Sequence, residues 1–250
     1  MNSAFASFLP VLEKMAADKI EITKQNILNS PLLLMGRSSG LEMFYSPHNE
    51  YINYDAPVVI AGITPGWQQM RAALIQFLHS YNQGKTLHQV LKETKEAASF
   101  IGSMRINLVK MLQSCGLFDV LHISANSLFS EHRHLLHTTS IVKYPLFRSG
   151  KNYTGYQPVL QRVPALHTYL NEVFPNEMEA IHTTKLIIPL GKVVDQEIQR
   201  LMKEKQITNA YCLSGFPHPS GANGHRQRIF SRNKGMYKSV IQEWAQMRSD

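Results

Sequence analysis

The chain has only two cysteines, Cys115 and Cys212, among its 250 residues. Two cysteines are too few for the disulfide framework of a small secreted protein, and too few to ligate an iron–sulfur cluster through four thiolates. Histidines are more frequent, but His132, His134 and His137 match no compact zinc-binding spacing and have no cysteine near them. We therefore expect neither a metal site nor a cofactor.

Long apolar segments are also missing. The longest apolar runs, such as residues 31–35 and 186–190, are far shorter than the roughly 20 residues that a membrane-spanning helix needs. Residues 1–20 place charged side chains between apolar ones, which is typical of an amphipathic helix and not of a signal peptide. We therefore expect no membrane partner and a cytoplasmic location.

Acidic residues are few relative to basic ones. The chain has 18 aspartates and glutamates against 26 lysines and arginines, which gives a formal net charge of +8. This excess favours a polyanionic partner, because lysine and arginine side chains bind phosphates and release the counterions held there. On charge alone, a basic protein without a nucleic-acid partner is an equally good interpretation.

The apolar pattern predicts helices and strands that alternate along the chain. Helices are expected near residues 5–17, 67–81, 86–99, 104–116, 159–173, 192–204 and 233–247. Strands are expected near residues 41–46, 57–63, 137–142, 185–190 and 207–213, and a polar loop over 147–155. The alternation favours an α/β fold with a mostly parallel sheet and helices on both faces. We expect residues 1–250 to form a single domain, with an N-terminal helical extension over about residues 1–40.

A histidine lies between two prolines in the segment 215–223, Gly-Phe-Pro-His-Pro-Ser-Gly-Ala-Asn. Neither Pro217 nor Pro219 has a backbone N–H to donate, and both have a fixed φ, so the segment predicts a rigid turn and not a helix or strand. A short strand is expected just before it, so His218 follows the carboxyl end of a strand. Open α/β sheets bind their ligands at that end.

Three further segments accompany this turn. An apolar strand runs into a turn at residues 58–67, Val-Val-Ile-Ala-Gly-Ile-Thr-Pro-Gly-Trp. Residues 138–145, Thr-Thr-Ser-Ile-Val-Lys-Tyr-Pro, and residues 185–192, Lys-Leu-Ile-Ile-Pro-Leu-Gly-Lys, lie between it and the histidine. These four segments, in this order, resemble the motifs of the uracil-DNA glycosylase superfamily, and the resemblance covers roughly residues 55–235.

The resemblance implies a three-layer α/β/α fold with a short, mostly parallel central sheet. It implies a monomer that binds DNA, flips out a base and hydrolyses the N-glycosidic bond of that base. His218 is then a catalytic residue that stabilises negative charge on the departing base, and Thr64 a catalytic residue that positions water. The residues that the resemblance assigns to substrate binding are Gly62, Ile63, Pro65, Gly66, Trp67, Ser140, Lys143, Tyr144, Pro219, Ser220 and Asn223.

The chain departs from the family pattern at two positions. Thr64 and Ile63 stand where the family has a carboxylate or an asparagine, so the motif has no strong general base. Ser140 stands in the region where the family has an asparagine, and one hydroxyl cannot supply the donor and acceptor that read uracil. We therefore expect a larger modified pyrimidine as the target, such as (glucosylated) hydroxymethylcytosine in phage DNA, and a role in antiviral defence.

A basic segment follows the histidine turn. Gly221 and Ala222 are small where many members of the superfamily have a bulkier wedge, so base extrusion is expected to rely on phosphate contacts. A basic helix face that contacts only solvent is the alternative. The residues expected to contact the DNA backbone are Arg226, Arg228, Arg232 and Lys234.

Three functions remain open at this point. The first is a glycosylase for a modified base, and the second is an ordinary uracil-DNA glycosylase in base-excision repair. The third is a non-catalytic nucleic-acid-binding protein with the same fold, which would tolerate the missing carboxylate but has no need of His218.

Overall fold

The computed structural model describes residues 3–100 and 102–249. These residues form two compact units. Unit 1 contains residues 3–51, 64–99 and 142–167, and unit 2 contains the described residues of 52–63, 100–141 and 168–249. The single domain expected over residues 1–250 stays a prediction.

The helices and strands have the following bounds in the described residues. The helices are α1 (Ser3–Ala17), α2 (Lys24–Leu28), α3 (Trp67–Asn82), α4 (Leu87–Ala98), α5 (Ser103–Ser114), α6 (Leu117–Leu121), α7 (Phe174–Glu179), α8 (Lys192–Lys203) and α9 (Arg226–Ser249). The strands are β1 (Leu34–Ser38), β2 (Leu41–Phe44), β3 (Val58–Gly62), β4 (Leu136–Ser140), β5 (Leu146–Arg148), β6 (Lys151–Asn152), β7 (Lys185–Pro189) and β8 (Ala210–Cys212). The protein is therefore a mixed α/β protein.

Unit 2 contains a four-stranded sheet in the order β4–β3–β7–β8, and all of its neighbouring strands are parallel. The middle strands β3 and β7 are almost continuously apolar, as is typical of parallel strands that are covered on both faces. This sheet confirms the expected α/β class and four of the expected strands.

Helices cover the sheet of unit 2. Val58, Ile60, Leu186 and Ile188 alternate along β3 and β7 and pack in one cluster with residues of α5, α6 and α9. The helix α8 contacts β7, and its buried side chains lie outside that cluster. Trp244 of α9 is fully buried in the cluster and makes a large apolar contribution to this core.

Unit 1 contains a second, antiparallel sheet in the order β1–β2–β5–β6. The helix α3 packs against α1 and α4 in the same unit. The sequence predicted only β2 of this sheet. It missed β5 and β6 within the expected polar loop, where Ser149 (φ 46°) and Gly150 (φ 71°) form a two-residue connection with both φ angles positive. That geometry is typical of a tight hairpin, which polar composition does not reveal.

Two helix predictions need correction. The α-helix expected over residues 159–173 is wrong: two short 3₁₀ helices and a π-helical turn replace it. Pro164 interrupts this stretch, because proline lacks a backbone donor and clashes with the preceding turn of an α-helix. The helix α9 begins at Arg226, seven residues before the expected start at residue 233 (233 − 226 = 7).

Across residues 3–100 and 102–249, no helix is long and apolar enough to cross a membrane.

Candidate active site

The carboxyl ends of the parallel strands meet at one edge of the unit 2 sheet. Gly62 and Ser140 are register partners at the ends of β3 and β4, and a Cβ atom on Gly62 would lie 3.6 Å from the Ser140 Oγ. The backbone N–H of Gly191, just after β7, donates to the carbonyl of Phe216 at 3.0 Å. This edge therefore unites residues of all four segments recognised in the sequence.

Gly191 allows the histidine turn to approach the end of β7. Its φ of 93° lies in the region that favours glycine, and a Cβ atom there would lie 3.3 Å from the Cβ of His218. Any larger residue would be strained and would push against the histidine. The Leu-Gly end of the 185–192 segment is thus explained by direct contact with His218.

The imidazole of His218 is held in one tautomer. Its Nδ1 accepts a hydrogen bond of 3.2 Å from the backbone N–H of Ser220. A neutral imidazole that accepts at Nδ1 carries its proton at Nε2, which makes Nε2 a donor. Burial lowers the pKa of His218 below its ordinary value, so the neutral form dominates at neutral pH. Among the described residues, none forms a hydrogen bond with Nε2.

Side chains from α5, α9 and the intervening loop hold the histidine turn. Asn223 Nδ2 donates to the His218 carbonyl at 3.2 Å, and Asn107 Nδ2 donates to the Pro219 carbonyl at 3.0 Å. Arg226 Nη1 donates to the carbonyls of Pro219 and Ser220, at 2.9 and 2.7 Å. Sequence reasoning missed Asn107, because an asparagine inside an amphipathic helix gives no signal of a contact 112 residues away.

Asn223 lies three residues before the start of α9 and accepts two hydrogen bonds there. Its Oδ1 accepts from the backbone N–H of His225 at 3.2 Å, and its carbonyl accepts from the N–H of Arg226 at 3.1 Å. Both polar atoms of the Asn223 side chain therefore have partners within the chain. A direct contact of this side chain with substrate stays a prediction.

The remaining basic residues of the predicted DNA contact lie on α9. Arg228 and Arg232 are exposed and four residues apart, so they lie on the same face of the helix, and Lys234 is half-buried. None of the three forms an ion pair with a carboxylate among the described residues. Their positive charge is therefore available to an anionic partner.

Thr64 belongs to unit 1, where its hydroxyl joins two chain segments. Its Oγ1 donates to the carbonyl of Tyr144 at 2.7 Å and accepts from the N–H of Leu146 at 3.0 Å. The hydroxyl proton is thus committed, and one lone pair of the oxygen remains. Thr64 therefore holds the start of β5, and its role in positioning water stays a prediction.

The rest of the first motif forms the start of α3. Pro65 and Trp67 are buried, and the N–H of Trp67 donates to Asn152 Oδ1 at 3.0 Å. The N–H of Gly66 donates to Gln69 Oε1 at 3.2 Å. These contacts satisfy backbone donors that the first turn of a helix leaves without partners.

Lys143 and Tyr144 belong to a buried polar network in unit 1. Lys143 Nζ lies 2.9 Å from Glu50 Oε2, and the Tyr144 hydroxyl donates to Glu50 Oε1 at 2.7 Å. Asn49 links this pair to Lys95: its Nδ2 donates to the Lys143 carbonyl at 2.8 Å, and its Oδ1 accepts from Lys95 Nζ at 2.8 Å. The contacts show a structural role for Lys143 and Tyr144, and their role in binding a base stays a prediction.

The predicted site residues are divided between the units. Unit 2 contains Gly62, Ile63, Ser140, His218, Pro219, Ser220, Asn223 and the basic residues of α9, and unit 1 contains Thr64, Pro65, Gly66, Trp67, Lys143 and Tyr144. No group of three or more histidine, cysteine, aspartate or glutamate side chains is arranged to hold a metal ion in the part of the chain that the structure describes.

The chain is 48% identical over 225 residues to a protein of Bacillus subtilis strain 168 named "Uncharacterized protein YoxB". The match covers 90% of this chain and 88% of that protein. No protein-family model and no solved structure matches the chain. The similarity therefore extends over nearly the full length of both proteins.

Proposed function

We propose that this chain, which belongs to the family of the uncharacterized protein YoxB of Bacillus subtilis, is a DNA N-glycosylase. It binds DNA as a monomer, flips out a base and hydrolyses the bond between base and sugar. The observation that carries this proposal is the fixed tautomer of His218 at the carboxyl edge of a parallel sheet. The proposal includes the three-layer α/β/α arrangement of the uracil-DNA glycosylase superfamily.

The tautomer of His218 suits the chemistry of base excision. As the N-glycosidic bond breaks, negative charge develops on the base and positive charge on the sugar. A donor at Nε2 stabilises the charge on a carbonyl oxygen of the base, and a histidine whose pKa is lowered by burial does so without a net charge. A hydrogen bond that strengthens in the transition state accelerates the reaction more than one that binds the ground state equally well.

Water addition needs less help than base departure. The cation left on the sugar is very reactive, so the attacking water needs correct placement more than it needs a strong base. Thr64 supplies such placement through the lone pair of Oγ1 that is not used by Leu146, because its own proton is donated to Tyr144. A carboxylate is not required in this mechanism.

The proposed substrate is a modified pyrimidine, such as hydroxymethylcytosine or its glucosylated form. Ser140 offers one short hydroxyl, and Gly62 beside it has no side chain. Both residues are small, and the pair lacks the donor and acceptor of the asparagine amide that would read uracil. Arg228 and Arg232 then contact backbone phosphates without reading the sequence.

The test is an excision assay on DNA duplexes and single strands that carry one defined base: uracil, hypoxanthine, 5-hydroxymethylcytosine or glucosylated 5-hydroxymethylcytosine. We expect alkali-labile abasic sites at a modified cytosine. The His218→Ala variant is expected to bind DNA equally well and to excise about a hundredfold more slowly, because one preorganised donor is lost.

Other outcomes of the assay exclude the proposal or narrow it. Faster excision of uracil than of every modified base identifies an ordinary uracil-DNA glycosylase. DNA binding without excision of any base identifies a non-catalytic binding protein. An undiminished rate in the His218→Ala variant removes His218 from the mechanism.

A further inference from the structure

The peptide group between Pro219 and Ser220 connects the histidine to two distant side chains. The N–H of this peptide group donates to His218 Nδ1 at 3.2 Å. Its carbonyl, at the opposite end of the same planar group, accepts from Asn107 Nδ2 at 3.0 Å and from Arg226 Nη1 at 2.9 Å. The N–H of this peptide group therefore fixes the histidine ring, and its carbonyl is in turn fixed by Asn107 and Arg226.

We propose that Asn107 and Arg226 are positioning residues that set the tautomer of His218 by locking the Pro219–Ser220 peptide plane. This inference rests on the proposed function of His218 as a donor to the departing base. Neither side chain needs to touch substrate in order to act. Both act through the orientation of one backbone N–H.

Rigidity of the peptide bond makes this coupling effective. The C=O and N–H of a trans peptide point in opposite directions within one plane, and twisting the bond itself costs energy. Two donors on the carbonyl prevent the plane from rotating about its flanking single bonds. They also polarise the peptide, which strengthens its N–H as a donor.

The tautomer depends on this N–H. With a donor at Nδ1, the neutral imidazole must hold its proton at Nε2. If the plane rotates, Nδ1 loses its partner and can itself be protonated, which turns Nε2 into an acceptor. An acceptor at Nε2 would repel the carbonyl oxygen of a departing base, so the wrong tautomer is inactive.

Arg226 differs from the other basic residues of its helix. It is half-buried, and its Nη1 also donates to the Ser220 carbonyl at 2.7 Å. Arg228 and Arg232 are exposed. The expectation that all of these arginines bind phosphate is therefore refined: Arg226 positions the turn, and the other two contact DNA.

Replacing Arg226 with lysine separates the two roles, because the positive charge is retained. A lysine substitutes well at a phosphate contact, but its flexible ammonium does not reproduce the rigid, planar guanidinium that places Nη1 against both carbonyl groups. Asn107→Leu removes the other donor at similar size and adds no charge. Arg228→Lys, an exposed position on the same helix, is the matched control.

The primary measurement is the ¹⁵N chemical shifts of the His218 ring in the full chain without DNA, recorded by NMR at neutral pH. His218→Gln provides the assignment. We expect the wild-type protein and Arg228→Lys to show the tautomer protonated at Nε2. Arg226→Lys and Asn107→Leu should show a measurable fraction protonated at Nδ1. The other histidine signals should be unchanged, which excludes general unfolding.

The kinetic measurement is single-turnover excision with the best base found in the excision assay. Arg226→Lys is expected to lower the rate about tenfold while the affinity for DNA and its salt dependence stay as in the wild type. Arg226→Lys and Asn107→Leu together should lower the rate by less than the product of their separate effects, because both hold one carbonyl.

Three results would overturn the inference. The first is a wild-type His218 protonated at Nδ1. The second is an unchanged tautomer in both Arg226→Lys and Asn107→Leu. The third is a loss of DNA affinity in Arg226→Lys without any change of tautomer. The absence of excision from every base is a different result: it rejects the proposed function, whereas the ring shifts still test the positioning role.

Discussion

Ser140 is 5% exposed and ends β4 beside Gly62. A serine at this position is small and offers a single hydroxyl, which is a donor or an acceptor but reads only one atom of a base. At the scale of single residues, the proposed choice of substrate depends on the size and polarity of the side chain at position 140.

On the proposed function, replacing Ser140 with asparagine is expected to shift the substrate preference toward uracil. The amide supplies a donor and an acceptor and occupies space that a 5-substituent needs, so excision of uracil should rise relative to a modified cytosine by about tenfold, or about 1.4 kcal/mol. The measurement is the ratio of single-turnover rates on the two substrates. Ser140→Ala is the control and should not favour uracil. An equal loss of excision rate on both substrates in Ser140→Asn would contradict the assignment of Ser140 to base recognition.

Thr64 shows why a residue inside a recognised motif is not thereby a catalytic residue. The resemblance assigns it to water placement, whereas its hydroxyl donates to Tyr144 and accepts from Leu146. Lys143 and Tyr144 show the same duality, because their side chains pair with Glu50 in a buried network. A motif identifies positions, and the contacts made there decide how much of each side chain is left for substrate.

At the scale of secondary-structure elements, α9 combines two tasks. Its first residue holds the histidine turn, and the exposed Arg228 and Arg232 follow within the next two turns. One helix thus carries both a positioning residue and the proposed phosphate contacts. The N-terminal end of a helix is also favourable for an anion, because its free N–H groups and dipole attract negative charge.

Replacing Arg228 and Arg232 together with alanine is expected to weaken binding to all DNA sequences alike. Each arginine that no longer neutralises a phosphate leaves about one more counterion on the DNA, so the slope of log affinity against log salt concentration should become shallower by about two. The measurement is DNA affinity by fluorescence anisotropy over a range of salt concentrations. Lys203→Ala, an exposed cation at the end of α8, should leave the slope unchanged. An unchanged slope in the double variant would show that these arginines face solvent.

At the scale of the whole molecule, two histidines with lowered pKa values, the buried His48 and the half-buried His218, make stability depend on pH. Burial and the nearby cations Lys95 and Lys143 lower the pKa of His48 to about 3. Burial also lowers the pKa of His218. Both histidines bind a proton more readily in the unfolded chain, so acid favours unfolding.

The free energy of unfolding is expected to fall as the pH decreases from about 6.5 toward about 3. It is highest above the unfolded pKa of histidine, and protonation of His48 in the unfolded chain lowers it by about 1.4 kcal/mol per pH unit within that window. His218, whose pKa is also lowered, adds to the fall below the unfolded pKa of histidine. Urea unfolding at several pH values measures the slope. His48→Asn should reduce this slope by the amount that corresponds to one proton taken up on unfolding. His225→Asn, a replacement at an exposed position, should leave the slope unchanged. A wild-type stability that is constant between pH 6.5 and 4.5 would contradict this account.

Local patterns predicted the parallel sheet of unit 2 and most of the long helices, because apolar periodicity reflects burial directly. They failed where a short element depends on its surroundings. The strands β5 and β6 are three and two residues long, too short for any periodicity, and they exist because β5 pairs with β2 across the chain. The stretch from 159 to 173 has helical periodicity, but Pro164 prevents one continuous α-helix.

The sequence by itself determined the rigid histidine turn, the strand before it and the glycine at position 191, because proline and glycine restrict or permit backbone angles whatever surrounds them. Only the tertiary structure decided which tautomer His218 adopts. That depends on Asn107, which lies 112 residues before the carbonyl it holds. Likewise, only folding pairs Glu50 with Lys143 and Tyr144. The reason is that hydrogen bonds between remote residues depend on how helices and strands pack, and local sequence does not encode that packing.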